Sequence, residues 1–263
     1  MKNALKKVYL ILMLVFLYAP IATLIVLSFN ESKTRAKWGG FSIKWYIALF
    51  KNDDIMQALY TTLMIALISS IVATVIGVTA CVGLKYYGKK LRAVAIGVTN
   101  IPMLNADIVT GISLMLLFLS FGFKFGFGTV LLSHITFNIP YVILSVMPRM
   151  NSLNQSTFEA ALDLGATRTK AFFRVVLPDL LPAILSGFLL AFTMSLDDFI
   201  ITHFTKGAGV DTLSTKIYTE VKKGIKPEMY ALSTLIFLVV FILLILVNKP
   251  DKDETATPTN FIP

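Results

Sequence analysis

Cysteine, histidine and charged residues are scarce in this chain of 263 residues, and each scarcity excludes a class of protein. The single cysteine, Cys81, cannot form an internal disulfide, and its apolar surroundings predict a buried, inert thiol. The only two histidines, His134 and His203, are far apart in the sequence, which argues against a metal site. The H-E-x-x-H, C-x-x-C and G-x-S-x-G patterns do not occur. The sequence therefore predicts a protein that is not an enzyme and binds no cofactor or metal itself.

One segment approaches a nucleotide-binding loop but fails at its last position. Residues 83–90 match G-x4-G-K-[ST] except that Lys90 replaces the hydroxyl that would reach Mg²⁺. The segment also follows an apolar run rather than a strand. We interpret it as a basic turn and expect any ATP hydrolysis to come from a separate polypeptide.

Long apolar runs are abundant. The chain is 56% hydrophobic and 15% charged, whereas globular chains average about 45–50% apolar. Runs long enough for membrane helices of about 20 residues predict an all-α membrane protein with six spans, at residues 8–29, 57–83, 93–119, 127–147, 180–201 and 230–248. We divide the chain into a helix with an external loop (1–56), a transmembrane domain (57–248) and a disordered tail (249–263).

Basic residues predict the orientation in the membrane. With the N-terminus inside, 13 of the 24 Lys and Arg residues lie on the inner side and 11 on the outer side, which decides nothing alone. The short loops differ more clearly, because 85–92 carries four basic residues and 121–126 carries only Lys124. Since basic residues are enriched in cytoplasmic loops, we predict that both termini are cytoplasmic. The net charge of +9 fits an anionic membrane surface rather than nucleic acid.

A polar, helix-prone segment separates the fourth and fifth spans. Ser156 and Glu159 have the spacing of a capping box, with Ser156 at the N-cap. Gly165 permits a sharp turn, and a second short amphipathic helix is predicted at about 168–176. Pro178 and Pro182 are expected to break that helix before the fifth span. By itself, such a segment is also typical of a helix lying in the membrane interface.

The same segment resembles the EAA loop of ABC-importer permeases, E-A-A-x3-G-x9-I-x-L-P. The matching residues are Glu159, Ala160, Ala161, Gly165, Leu177 and Pro178, with Val175 in the Ile place and Ala166 after the glycine. The resemblance implies a type I ABC-importer (MetI-like) transmembrane domain in a bacterial inner membrane. It also implies a partner ATPase, in two copies, that uses ATP and Mg²⁺ and docks on this loop. The further partners it implies are a second permease subunit and an external solute-binding protein.

Ionisable residues inside spans are costly and suggest function. Three carboxylates qualify: Asp107, Asp197 and Asp198. Counting about 1.5 Å per residue places Asp107 and Asp197 at a common depth of roughly 21 Å, and Pro102 and Asn105 indicate a broken helix near Asp107. His134, Asn138 and Tyr141 are predicted to share their cavity. The alternative for Asp197 and Asp198 is a helix cap or an ion pair with Lys206.

Carboxylates in a partly dry pathway suit a substrate that carries ammonium groups. Residues 195–199 and 216–218 also resemble the permeases of spermidine/putrescine importers, which implies polyamine uptake. One alternative is an importer of another small solute, such as thiamine, phosphonate or ferric ion. A secondary transporter that uses Asp107 and His134 as a proton relay is a further alternative, but it leaves the EAA-like loop unexplained.

Overall fold

The computed structural model describes residues 2–34 and 36–247, so the tail predicted at 249–263 lies outside the described residues. The helices are α1 (Lys2–Ser28), α2 (Lys44–Phe50), α3 (Asp53–Lys85), α4 (Lys89–Leu104), α5 (Asp107–Ser120), α6 (Phe127–Ser152), α7 (Gln155–Asp163), α8 (Arg168–Ala171), a π-helical segment (Phe172–Val176), α9 (Leu177–Asp197), α10 (Ile200–Thr205), α11 (Leu213–Lys223) and α12 (Pro227–Val247). The chain divides into two compact units, one with α1, α2 and α12 and the other with α3 to α10.

In the first unit, α12 packs against α1 and α2. The loop after α1 is held by Asn30, whose side-chain oxygen accepts hydrogen bonds from the N–H groups of Ser32 and Gly39. The Trp45 indole donates to the Asn30 carbonyl oxygen at 2.7 Å, and Trp45 is buried. This part of the predicted external loop is therefore an ordered segment fixed around one asparagine.

The second unit is built on the long helices α3, α6 and α9, which pack against one another. Small residues allow the close approach. A Cβ added at Gly77 of α3 would lie 2.9 Å from the Val142 Cβ of α6, and one at Gly187 of α9 would lie 3.3 Å from the Ser145 Cβ. Cys81 lies in this core and is fully buried, as predicted.

The spans agree with the prediction in place but not in number. Within the described residues, four helical segments are long and apolar enough to cross a membrane: Lys6–Ser28, Asp53–Lys85, Phe127–Ser152 and Arg168–Asp197. A fifth span results if α4 and α5, bent by 103° at their junction, count as one. The predicted span 93–119 is thus two helices, and the break expected near Pro102 and Asn105 is confirmed. The α12 helix lies where the sixth span was predicted.

The fifth span differs from the prediction at both ends. Pro178 and Pro182 were expected to break the helix, but the helix is continuous from Arg168 to Asp197. The π-helical segment accommodates the first proline. The Leu177 N–H donates to the Phe172 carbonyl, five residues back instead of four. The helical hydrogen-bond pattern has therefore already shifted before Pro178, which has no N–H to donate. At the other end, α9 stops at Asp197 instead of reaching residue 201.

Candidate functional site

The break between α9 and α10 lies at Asp198 and Phe199, and the Asp198 carboxylate organises it. Oδ1 accepts a hydrogen bond from the Ile201 N–H at 3.2 Å. Oδ2 accepts from the N–H and from the hydroxyl of Thr202, both at 2.8 Å. The side chain is only 8% exposed. The carboxylate therefore satisfies backbone donors at the start of α10 that have no partner within the helix.

His134 of α6 contacts the Asp198 carboxylate and the Thr202 hydroxyl from the protein interior. Nε2 lies 2.8 Å from the Thr202 Oγ1 and 3.4 Å from the Asp198 Oδ2. On the other side of the ring, Nδ1 lies 2.6 Å from the Ser195 Oγ of α9. His134 is 1% exposed, so its ring joins α6 to α9 and α10 and does not face an open cavity of this chain.

The hydrogen bonds continue from Ser195 to α3. The Ser195 Oγ lies 3.3 Å from the Ser69 Oγ, and the Asn138 amide nitrogen donates to that same Ser69 oxygen at 3.3 Å. Together these side chains form what we call the buried polar network: Ser69, His134, Asn138, Ser195, Asp198 and Thr202. It connects four helices in the region where an unsatisfied polar group is most costly.

A second group of predicted residues meets outside this network. Asp107 is the first residue of α5, Asp197 is the last of α9, and Tyr141 lies on α6. Asp107 is close enough to both Asp197 and Tyr141 to interact with them electrostatically. Both carboxylates are exposed in this chain, and among the residues that the structure describes neither forms an ion pair. Two free carboxylates beside a phenol ring are suited to bind a cation.

The predicted reason for placing Asp107 and Asp197 together was wrong. The estimate of equal depth assumed two straight helices, but Asp107 follows a bend of 103°. The charge of Asp107 nevertheless acts on Asp197, and both residues stand at helix ends created by the two breaks. The predicted alternative with Lys206 is not present, since the Lys206 ammonium pairs with Asp211. A cap is present at Asp198 and not at Asp197.

The predicted ATPase-docking segment is a helix–turn–helix, as expected, but its first cap was wrongly assigned. The N-cap of α7 is Asn154, whose Oδ1 accepts from the Ser156 N–H at 3.1 Å and from the Ser156 hydroxyl at 2.7 Å. Ser156 lies one residue inside the helix. The helix starts early because asparagine is as good a cap as serine and occurs two residues before Ser156.

Gly165 makes the turn that the sequence predicts. Its φ is +83°, and the N–H groups of Gly165 and Ala166 donate to the carbonyls of Leu162 and Ala161 at 2.9 and 3.1 Å. These are the two bonds of a Schellman motif, which ends a helix where glycine takes left-handed backbone. Thr167 then caps α8, because its hydroxyl oxygen accepts from the Lys170 N–H at 3.3 Å.

Some of the residues predicted to dock an ATPase are exposed, and the others are partly buried. Glu159, Ala160, Gly165 and Pro178 are exposed, whereas Ala161, Ala166 and Leu177 are partly buried. Leu164, beside the turn, is 89% exposed. On the second helix, Ala171 is buried and Arg168, Lys170 and Arg174 point to the surface, which confirms the predicted amphipathic pattern. An exposed leucine at the tip of a rigid turn is suited to insert into a partner's groove.

Sequence reasoning missed Ser69 and Thr202, and it did not give Ser195 a role. All three are hydroxyl residues within apolar helices, and all are buried. Such residues commonly bond across helices inside a membrane, and that was the available signal. It was too weak to use, because many other serines and threonines of this chain bond only to the carbonyl one turn earlier, as Thr136 does.

Comparison with known proteins places the chain in one group throughout. The sequence profile of a family described as "Binding-protein-dependent transport system inner membrane component" matches residues 73–249. The chain is 37% identical over 244 residues to the spermidine/putrescine transport system permease protein PotC of Escherichia coli K12, covering 93% of this chain and 92% of PotC. It is 39% identical over 259 residues to the putrescine transport system permease protein PotI of the same strain, covering 94% and 92%.

Solved structures give the same fold. A chain of a bacterial ABC transporter that imports the acidic polysaccharide alginate matches with a TM-score of 0.72 at 17% identity, over 93% of this chain and 92% of that one. A structure of the alginate transporter in complex with a pentasaccharide-bound periplasmic protein also matches with a TM-score of 0.72. At this identity the likeness shows the fold, and it agrees with the predicted all-α importer domain.

Proposed function

This chain belongs to the family of binding-protein-dependent transport system inner membrane components, and on that premise we propose that it is the permease subunit of an ATP-driven importer for polyamines such as spermidine and putrescine. The observation that carries the substrate class is the identity of 37% and 39% with two polyamine permeases over more than nine-tenths of the chain. In this proposal the chain forms the membrane pathway and carries out no catalysis.

The pathway is assigned to the exposed carboxylates of Asp107 and Asp197 with Tyr141 beside them. Polyamines carry ammonium groups joined by methylene chains. A carboxylate binds each ammonium group, and aromatic rings pack against the methylene groups and attract the charge. Tyr141 also contacts Phe137, with ring centroids 6.5 Å apart. His134 and Asp198 were predicted to line the same pathway, and in this proposal they stand behind it.

Coupling to ATP is assigned to the loop from α7 to α8. A separate ATPase, in two copies, would bind its exposed face and use ATP and Mg²⁺ there. Phe158 of α7 lines a cavity of about 440 Å³ together with residues of α3 and the π-helical segment. The proposal keeps both termini in the cytoplasm, as the basic residues of the short loops predict. A second permease subunit and an external solute-binding protein complete the proposed importer.

The test is uptake of radiolabelled spermidine and putrescine into proteoliposomes that contain the assembled importer, at a fixed membrane potential. We expect uptake only when ATP is supplied on the side of the membrane that carries the ATPase and when the binding protein is present on the other side. Uptake that follows a proton or sodium gradient without ATP would favour the secondary transporter. ATP-driven uptake of thiamine, phosphonate or ferric ion, but not of polyamines, would keep the importer and replace its substrate.

Two substitutions test the pathway within that assay. Asp107→Asn and Asp197→Asn keep the shape of each side chain and remove its charge, so each should lower apparent uptake affinity by about tenfold or more, the loss expected for one charge-assisted contact. Asp53→Asn, at an exposed carboxylate in the first turn of α3, is the control and should change uptake little. Wild-type uptake in both pathway variants at normal expression would contradict the assignment.

A further inference from the structure

The buried polar network divides into two sides at the His134 ring. The Thr202 hydroxyl donates its hydrogen to Asp198, so its oxygen can only accept from the ring, and Nε2 therefore carries a hydrogen. The Nε2 side leads to the break and to α10. The Nδ1 side leads through Ser195 to the body of α9. The same ring thus makes two separable contacts, one with the break and one with the helix before it.

The α10 helix that the Nε2 side holds is packed directly on α5. A Cβ added at Gly111 of α5 would lie 3.2 Å from the Phe204 ring and 3.4 Å from the Ile201 Cα. Gly111 is four residues after Asp107, so the two positions lie on the same face of α5. At its other end, α10 is held by the Thr129 hydroxyl, which donates to the Thr205 carbonyl at 2.8 Å. The position of α10 therefore sets the position of α5.

Both proposed pathway carboxylates depend on the break as a result. Asp197 immediately precedes Asp198, and Asp107 stands on the helix that α10 supports. Since His134 is 1% exposed, its influence on any substrate must pass through these neighbours.

We propose that His134 is a positioning residue of the transport pathway. Through Nε2 it holds Thr202 and Asp198, and so keeps Asp107 and Asp197 in position for the ammonium groups of the substrate. The inference rests on the proposed function for its substrate, but its structural part stands on the described contacts. The competing explanation is that His134 only joins α6 to α9 through Ser195, as an ordinary buried histidine would.

Two amide substitutions separate these explanations, because each reproduces one nitrogen of the ring. The glutamine amide is as many bonds from Cβ as Nε2, and the asparagine amide is as many bonds as Nδ1. His134→Gln keeps a donor toward Thr202 and Asp198 and loses the bond to Ser195. His134→Asn keeps the Ser195 bond and leaves Thr202 and Asp198 without their support. Ser195→Ala is the matched control, since it removes the Nδ1 bond and the contact with Ser69 but leaves the bonds of Nε2, Thr202 and Asp198 in place.

Two readouts are taken on the assembled importer. Hydrogen exchange of the amides of residues 199–205 reports whether α10 is held, and uptake kinetics report apparent affinity separately from maximal rate. We expect His134→Asn to exchange about tenfold faster in this segment and to lose about tenfold in apparent uptake affinity, the scale of one lost buried bond. His134→Gln and Ser195→Ala should stay within about twofold of the wild type in both readouts.

Equal behaviour of the Gln and Asn variants, or faster exchange of α10 in Ser195→Ala alone, would overturn the proposal and favour the ordinary buried histidine. If the wild type transports a solute other than a polyamine, the proposed substrate fails while the exchange pattern still decides the role of His134. If His134→Asn does not assemble, Thr202→Val tests the same side, because it removes the hydroxyl between Nε2 and Asp198 and should reproduce the faster exchange.

Discussion

Two of the breaks between helices contrast, one at residues 164–167 between α7 and α8 and the other at residues 198–199 between α9 and α10. The first break is exposed, with Leu164 at 89%, and it is closed by backbone bonds around Gly165. The second has no glycine. It is closed by the Asp198 side chain, which is itself held by His134.

The difference follows from the solvent around each break. In water, backbone groups that lose helical partners are hydrated, so the chain needs only a residue that tolerates left-handed backbone. In a membrane no water is available, and each freed N–H requires a protein acceptor. The first break should therefore be sensitive to backbone conformation, and the second to the loss of one side chain.

The largest effect is expected for Asp198→Ala. The substitution leaves the N–H groups of Ile201 and Thr202 and the His134 ring without their acceptor in a buried site. Unfolding free energy should fall by about 2–3 kcal/mol, measured by thermal denaturation in detergent, and uptake should be lost.

The adjacent carboxylate is the control for that prediction. Asp197 is exposed and caps no helix, so Asp197→Ala should lower uptake while the melting temperature stays near that of the wild type. A similar loss of stability in both variants would remove the proposed distinction between a pathway carboxylate and a positioning carboxylate.

The next effect concerns the exposed break and uses two glycines that differ mainly in backbone angle. A Cβ would meet no atom within 4 Å at either Gly165 or Gly88, but φ is +83° at Gly165 and −61° at Gly88. Gly165→Val should strain the turn by about 2 kcal/mol and reduce ATPase co-purification without preventing membrane insertion. Gly88→Val should retain the ATPase, because valine accepts that backbone readily.

Retention of the ATPase by Gly165→Val would show that ATPase binding does not depend on the angle between α7 and α8. Loss of the ATPase in both variants would instead implicate the basic turn at residues 83–90.

The exposed break was predictable because its determinants are local. Gly165, its polar neighbours and the amphipathic spacing of residues 168–176 all lie within one short segment, and each acts through backbone geometry or helical periodicity. The break before Asp107 was also indicated locally, by Pro102 and Asn105. The loop, the all-α class and the break before Asp107 could therefore be predicted from the sequence.

The break at Asp198 was predicted only as an alternative, a helix cap, because part of what supports it is distant in sequence. Phe199, Ile200 and Ile201 continue the apolar run, so periodicity extends the span through them. The competing factor is a side chain on α6, His134, which folding brings to Asp198. The same limit explains Pro178 and Pro182, since whether a proline breaks a helix depends on the turn before it, here a π-helical one.

The smallest effect tests the corrected cap of α7. Asn154→Ala removes the acceptor of the Ser156 N–H and should destabilise α7 by about 1 kcal/mol, measured as faster amide exchange at residues 155–159. Ser156→Ala is the matched control and should leave exchange nearly unchanged, because the backbone N–H of residue 156 still donates to the Asn154 Oδ1. If the serine variant has the larger effect, the capping box predicted from the sequence is the correct description. The exposed break would then depend on a side-chain cap as well as on Gly165, and its contrast with the buried break would be smaller.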